Sequence, residues 1–221
     1  MGNFRSKMNA LYSIRRKMVI YPMIRKLFTA FFSLLLLSCL SIETKMTLAA
    51  NGSGTLDLVY TVSPLANDWN TGANSPLPLP INENDFRRSV TMIQGLGLVS
   101  YSRSVDKDVT IIRATISFTS LDVLNRLVSG QETTFRLRTE GNRTIFEQTI
   151  TQGTQNLLNA DNQAFVQAFF QPYSLSFSLT APRAIQSVTP EGNSSGQNAS
   201  VTFPLPRIIE SPRPIIWRVE W

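Results

Sequence analysis

The chain has 221 residues, of which 21 are basic, 15 are acidic, one is cysteine and none is histidine. Without histidine it lacks the commonest general base and the commonest transition-metal ligand. A single cysteine excludes internal disulfides and zinc sites built on several thiolates. The net charge of +6 is unevenly placed: residues 1–38 carry seven basic and no acidic side chains, leaving 14 basic and 15 acidic residues, a charge of −1, beyond them. That balance gives little reason to expect a basic patch for nucleic acid.

Residues 1–38 have the three parts of a secretory signal. Arg5, Lys7, Arg15, Arg16, Lys17, Arg25 and Lys26 make a long basic segment, within which Met18 and Met23 are alternative starts. An apolar run from Leu27 to Leu40 follows, interrupted by Thr29, Ser33 and Ser38. It is shorter than the roughly 20 residues a spanning helix requires. The run ends Leu36-Leu37-Ser38-Cys39, the pattern of a bacterial lipoprotein signal that is cut before a cysteine carrying diacylglycerol. A rival cut lies at Thr47-Leu48-Ala49-Ala50, which resembles a site for ordinary signal peptidase. Three segments are therefore expected: a signal at 1–38, an acylated Cys39 with a flexible tether at 39–54 ending Asn51-Gly52-Ser53-Gly54, and one envelope domain at 55–221.

Within that domain, Leu56, Leu58, Tyr60 and Val62 alternate as in a half-buried strand. A loop rich in Asn, Gly and Pro carries Trp69 between Ser63 and Pro80. Asn82 with Asp85 forms a box-like cap for a helix whose Phe86, Val90 and Ile93 share a face, with Gly95 as its stop. Leu96–Val105 and Val109–Phe118 form a strand pair about Asp106-Lys107-Asp108, with Ile112, Ala114, Ile116 and Phe118 on one face. A second helix starts at Thr119 or Ser120, turns Leu121, Leu124 and Val128 inward, and stops at Gly130. A hairpin follows, with Phe135 and Leu137 before Glu140-Gly141-Asn142-Arg143 and Phe146 and Ile150 after it. Arg136, Arg138 and Arg143 read as its solvated face.

Asp161–Phe170 is a third amphipathic segment with Phe165 and Phe169 at i and i+4, ended by Pro172. Leu175, Phe177 and Leu179 alternate with serines in the clearest strand of the chain. Val201 and Phe203 mark a short strand. Pro204, Pro206, Pro212 and Pro214 mark an extended crossover, and Ile215, Trp217, Val219 and Trp221 a final paired strand. Helices dispersed among hairpin-linked strands imply an α+β fold, a mainly antiparallel sheet with two or three short amphipathic helices.

No residues stand out for catalysis. The segment beyond Cys39 holds two lysines, Lys45 and Lys107, and no G-x-S-x-G elbow. Gly95-Leu96-Gly97 is followed by a strand pattern where a dinucleotide loop requires a helix. Asp106 and Asp108 flank a lysine, which makes a polar turn and a poor calcium site. Glu132, Glu140 and Glu147 do not suggest a carboxylate pair. The sequence therefore predicts no catalytic residue, no cofactor and no metal, and one modified residue, Cys39.

Two stretches resemble the domain of LppM-type lipoproteins and the related plant and cyanobacterial domain. One is Val109–Asn125, a strand running into Ser-Leu-x-x-Leu-Asn. The other is Ser174–Trp221, a strand ending Thr-Ala-Pro182, a Gly-bearing turn, a strand at Val201–Phe203 and the closing Trp217-Arg-Val-Glu-Trp221. The resemblance implies an α+β envelope domain with a lipid or glycolipid ligand. The long loop at 63–80 and the missing C-terminal membrane helix depart from the mycobacterial members. The expected function is that of a non-enzymatic lipoprotein of the bacterial cell envelope, periplasmic or surface-exposed and held to a membrane through Cys39. Such a domain would bind a lipid or amphiphile, for which a concave apolar space beneath the helix of Phe86, Val90 and Ile93 is the candidate. The alternatives are an adaptor docking an envelope protein through an apolar patch near Trp69 or Trp217, and an unusual hydrolase.

Overall fold

A computed structural model describes residues 41–62, 80–106, 109–128, 134–154 and 159–221. The chain divides into two units, residues 1–38 and 39–221, and the first lies outside the described residues. Strands β1 (Ile42–Leu48), β2 (Gly54–Val62), β3 (Leu96–Asp106) and β4 (Val109–Phe118) combine with β7 (Ser174–Thr180), β9 (Asn193–Ser195) and β10 (Asn198–Pro204) into a seven-stranded sheet of order β3-β4-β2-β1-β7-β10-β9. A second sheet has the order β5-β6-β11-β8, from β5 (Phe135–Glu140), β6 (Arg143–Thr151), β8 (Ser187–Thr189) and β11 (Ile215–Glu220). Four helices are described: α1 (Glu83–Thr91), α2 (Leu121–Val128), α3 (Ala160–Phe170) and α4 (Leu205–Glu210).

The α+β expectation holds, with corrections, the first being that four helices are described and not two or three. The large sheet is mixed, because β1 runs parallel to β7 while its other pairings are antiparallel. The proline-rich stretch after Phe203 is not an extended crossover: Leu205–Glu210 is helical. Pro206 sits in its first turn, where a missing N–H leaves no helical hydrogen bond unmade.

The largest correction concerns residues 41–54. They are not a flexible tether. Ile42–Leu48 pairs with β2 along one edge, from Ile42 opposite Tyr60 to Leu48 opposite Gly54, and with β7 along the other, from Ile42 beside Leu175 to Thr47 beside Thr180. Asn51 and Gly52 belong to the hairpin loop between β1 and β2. The Ala49 amide donates to the Ser53 carbonyl at 2.8 Å, the Ser53 amide donates to the Asn51 side chain at 3.1 Å, and Gly52 takes φ +80°. Asn followed by a glycine at positive φ is ordinary hairpin chemistry.

Alternation gives the large sheet one apolar face and one polar face. Met46, Leu48, Leu56, Tyr60, Ile112, Ala114, Ile116, Phe118, Phe177, Leu179, Val201 and Phe203 are buried. Between them in sequence stand Glu43, Lys45, Asp57, Arg113, Thr115, Ser176, Ser178, Ser200 and Thr202, all half-buried or exposed. Two elements cover the apolar face. The second sheet brings Phe135, Phe146, Trp217 and Val219 into one core with β1, β7 and β10, joined by Leu121 and Leu124 of α2. α1 covers β2 and β4 with Phe86 and Val90, packed against Tyr60, Val62, Ile112 and Ile116. As expected, the C-terminal strand is paired to its end: the amide and carbonyl of Trp221 exchange hydrogen bonds with Thr144 at 3.0 and 2.9 Å.

The core beneath α1 contains two phenols. Tyr60 donates to the Pro80 carbonyl, and Tyr101 donates to the Ile81 carbonyl at 2.6 Å, so both hydroxyls tie the start of the α1 segment to the sheet. Burial raises the Tyr60 pKa well above its ordinary 10.0, and neighbouring Tyr101 raises it further. Tyr101 shifts upward as well, through burial first, with Arg103 opposing and Glu83 adding to the rise. Above pH 10 the unfolded chain releases the Tyr60 proton while the folded protein retains it, so stability is full below that pH and falls above it. The expected slope for Tyr60 alone is about 1.4 kcal/mol per pH unit. Urea titrations above pH 10 should show Tyr60→Phe losing stability with pH less steeply than the parent; equal slopes would refute the assignment.

Candidate functional site

The end of the large sheet at which β1 begins is built from several elements. Ile42 lies opposite Tyr60 and beside Leu175. Leu175 pairs with Phe203, and Ser174 with Pro204, immediately before α4. The turn after α3 closes onto the same corner: the Tyr173 amide donates to the Phe170 carbonyl at 3.0 Å, and the Leu205 amide donates to the Tyr173 carbonyl at 2.9 Å. α3 and α4 are joined by a hydrogen bond from the Gln167 side chain to Glu210 at 2.8 Å. These contacts place the start of β1 beside the C-terminal turn of α3 and the start of α4. Cys39 itself lies outside the described residues, as do Trp69, Lys107, Asp108, Gly130 and Glu132.

A different feature occupies the opposite end, beside the β1–β2 loop. An open hollow of about 380 Å³ is lined by Gly52, by Ser120, Leu121 and Asp122 at the start of α2, and by Phe135, Arg136 and Leu137 of β5. Asn125 holds its walls together. The Asn125 side-chain amide donates to the Phe135 carbonyl at 2.7 Å, and its oxygen accepts the Thr134 and Phe135 amides at 3.0 and 2.8 Å. One side chain thereby supplies α2 with strand-like bonds to β5. The lining combines an acid, a base, a hydroxyl and apolar carbon, a composition suited to a small polar group and not to an acyl chain.

The expected apolar space beneath α1 is filled. Phe86 stands between Tyr60 and Tyr101, with ring centroids 6.5 and 5.6 Å away, and Phe86, Val90 and Ile112 are buried. Nor does Trp217 form a surface patch. It is fully buried, edge-on to Phe146 with centroids 6.3 Å apart, and its indole N–H has no hydrogen-bond partner.

The carboxylates expected on the hairpin surface are occupied by arginines. Glu147 accepts from Arg218 at 2.8 Å and from Arg138 at 3.4 Å, Arg138 also pairs with Glu140, and Arg143 lies 3.5 Å from Glu220. Arg138 and Arg143 thus form the solvated, ion-paired face expected of this hairpin. The more exposed of these pairs, Arg138 with Glu140 and Arg143 with Glu220, contribute about 0–1 kcal/mol each. Burying a large side chain such as Phe146 on the other face contributes about 1.5–3 kcal/mol, so the hairpin is held mainly by its core face. Among the described residues, no three His, Cys, Asp or Glu side chains converge as a metal site would require.

No family model matches the sequence, and no curated protein matches it. Among solved structures, the NMR structure of the folded domain of the Mycobacterium tuberculosis LppM protein is similar, with a TM-score of 0.44 and 12% identity over 81% of this chain and 86% of that one. The LppM resemblance noted from sequence motifs therefore has no sequence-level support, and the structural likeness is too low to carry fold or function across.

Asn125→Ala should cost about 2 kcal/mol, because its three hydrogen bonds to the backbone of Thr134 and Phe135 are lost from a part-buried site. Chemical denaturation measures this directly, and a cost within error of zero would show that water replaces the side chain without penalty.

Proposed function

We propose that this chain is a non-enzymatic, lipid-anchored domain of a bacterial cell envelope, acylated on Cys39. The observation that carries this reading is the lipoprotein pattern Leu36-Leu37-Ser38-Cys39, followed at once by β1, a strand paired on both edges. The position of β1 bears on which cut is made. Processing after Ala50 would discard the strand that joins β2 to β7 and would expose both edges to aberrant pairing. Processing before Cys39 keeps the sheet whole. The anchored domain belongs at a membrane surface, and its ligand or partner is lipid or another envelope component.

One observation favours the adaptor form of this reading, in which the domain docks an envelope protein. The polar face of the large sheet is accessible across β1, β2, β4, β7 and β10. Several of its hydroxyls are already aligned across strands: Thr115 donates to Asp57 at 2.7 Å, Ser176 and Thr202 are 3.0 Å apart, and Thr180 donates to Asn198 at 2.9 Å. Such a polar surface suits a hydrogen-bonding partner better than an acyl chain.

Cells fed an alkyne-bearing fatty acid should label the wild-type protein and leave Cys39→Ala unlabelled. Intact mass of the mature chain should begin at a lipid-modified Cys39. An unlabelled wild type, or a mature chain beginning at Asn51, would defeat the reading.

A further inference from the structure

α3 is apolar on two sides. Val166 and Phe170 face the core and are buried. Phe165 and Phe169 face outward with 39% and 47% of their surface exposed, their rings 5.3 Å apart and within 17° of parallel. The sequence pattern had suggested Phe165 and Phe169 as the pair defining this helix; the structure assigns the inward role to the residues one position later. An exposed stacked pair of phenylalanines on one short helix is a concentrated apolar feature, flanked by the uncharged polar residues Asn162, Gln163 and Gln167.

We propose that Phe165 and Phe169 form the surface on which the domain rests against the lipid bilayer. This inference depends on the acylation of Cys39 proposed above. The occupant follows from the length of chain available. Cys39 precedes Ile42 by three residues, a reach of about 10 Å at full extension. Ile42 lies beside Leu175, about 5 Å away as adjacent strands require. One residue before β7, the Tyr173 amide bonds to the carbonyl of Phe170, the neighbour of Phe169. An acyl chain on Cys39 therefore enters the membrane next to the C-terminal turn of α3. The anchor is too short to lift that end of the domain clear of the headgroups. An apolar helical face in this position settles about 5–10 Å into the boundary between headgroups and acyl chains. Val105, exposed near the β3–β4 connection, stands at the same end of the sheet: it is opposite Thr110, which pairs with Val62 beyond Tyr60.

The test uses the full chain, processed in bacteria, purified in detergent and reconstituted in phosphatidylcholine–phosphatidylglycerol vesicles. The vesicles are made with and without lipids brominated near the headgroup end of the chain. Phe169→Trp adds a reporter at the proposed surface, and Phe165→Trp is a second one. Met92→Trp places the control at the opposite end, beyond α1 and just before Leu96, which pairs with Phe118. Difference emission against the parent removes the signal of the native tryptophans. Bromolipid should quench the added emission of Phe169→Trp and Phe165→Trp and leave that of Met92→Trp unchanged. Acylated protein with equal quenching in all three variants would overturn the proposal and leave the anchor intact. Blue-shifted emission at Phe169→Trp without bromine quenching would also overturn it, since a protein would then cover the face. Absence of lipid mass on Cys39 would overturn the anchor reading, and this surface with it.

Discussion

The fold depends on β1 being held from both sides. In a sheet whose other pairings are antiparallel, β1 supplies the one parallel contact, to β7, and the antiparallel contact to β2. Without it, the sheet would separate into β3-β4-β2 on one side and β7-β10-β9 on the other. Each fragment would carry a raw edge and half of an apolar face. Met46 and Leu48 lie in the same core as Phe146, Phe203 and Trp217, so the strand also helps join the two sheets. The backbone pairing and side-chain burial of this strand are inseparable, because a shift of register by one residue would turn Met46 and Leu48 out and Lys45 and Thr47 in.

The division of labour across the large sheet follows from its covering. The second sheet and α2 bury one half of the apolar face, and α1 buries the other. Those coverings are filled with side chains in contact, which is why the aromatic cluster of Tyr60, Phe86 and Tyr101 supplies rigidity and not a cavity. A hollow is found where the coverings end. The hollow beside α2 forms between the β1–β2 loop and the edge of the second sheet, and the α3 face lies outside both coverings. Features available for contact with other molecules are thus displaced to the ends of the sheet and to its polar face.

Much of this architecture was legible in the sequence where periodicity and local chemistry agreed. Asn82 does cap α1, accepting the Asp85 amide at 2.9 Å, and the serine-alternating strand β7 buries Phe177 and Leu179 as the pattern required. Residues 42–48 were missed for a definite reason. Glu43, Lys45 and the two threonines make the segment polar in composition, while the apolar residues that count, Ile42, Met46 and Leu48, share one face. Reading composition obscured a period of two that the following Asn-Gly loop should have reinforced. The inward face of α3 was not legible because five of its last six residues are apolar, so spacing alone could not choose between Phe165 with Phe169 and Val166 with Phe170. Only packing against the rest of the chain separates the pairs. The ends of the sheet were illegible for a related reason: β1 and β7 are far apart in sequence, and parallel pairing leaves no turn signal.

The placement of β1 changes what an anchor at Cys39 would mean. A tether of 14 or so flexible residues would let the domain sample a layer of roughly 20 Å by random-coil dimensions, with no preferred face toward the membrane. With the proposed lipid on Cys39, a first strand beginning three residues later would replace that freedom with orientation. Such an anchor would bring the end of the sheet bearing Ile42 and α3 to the headgroups and carry the hollow beside α2 to the far side. The polar sheet face would then lie within reach of a partner held in the same membrane. Orientation of this kind reduces the rotational freedom that a membrane-bound partner must otherwise overcome on docking. A short anchor of the proposed kind would thus favour recognition within the plane of the membrane over capture of molecules from the space above it.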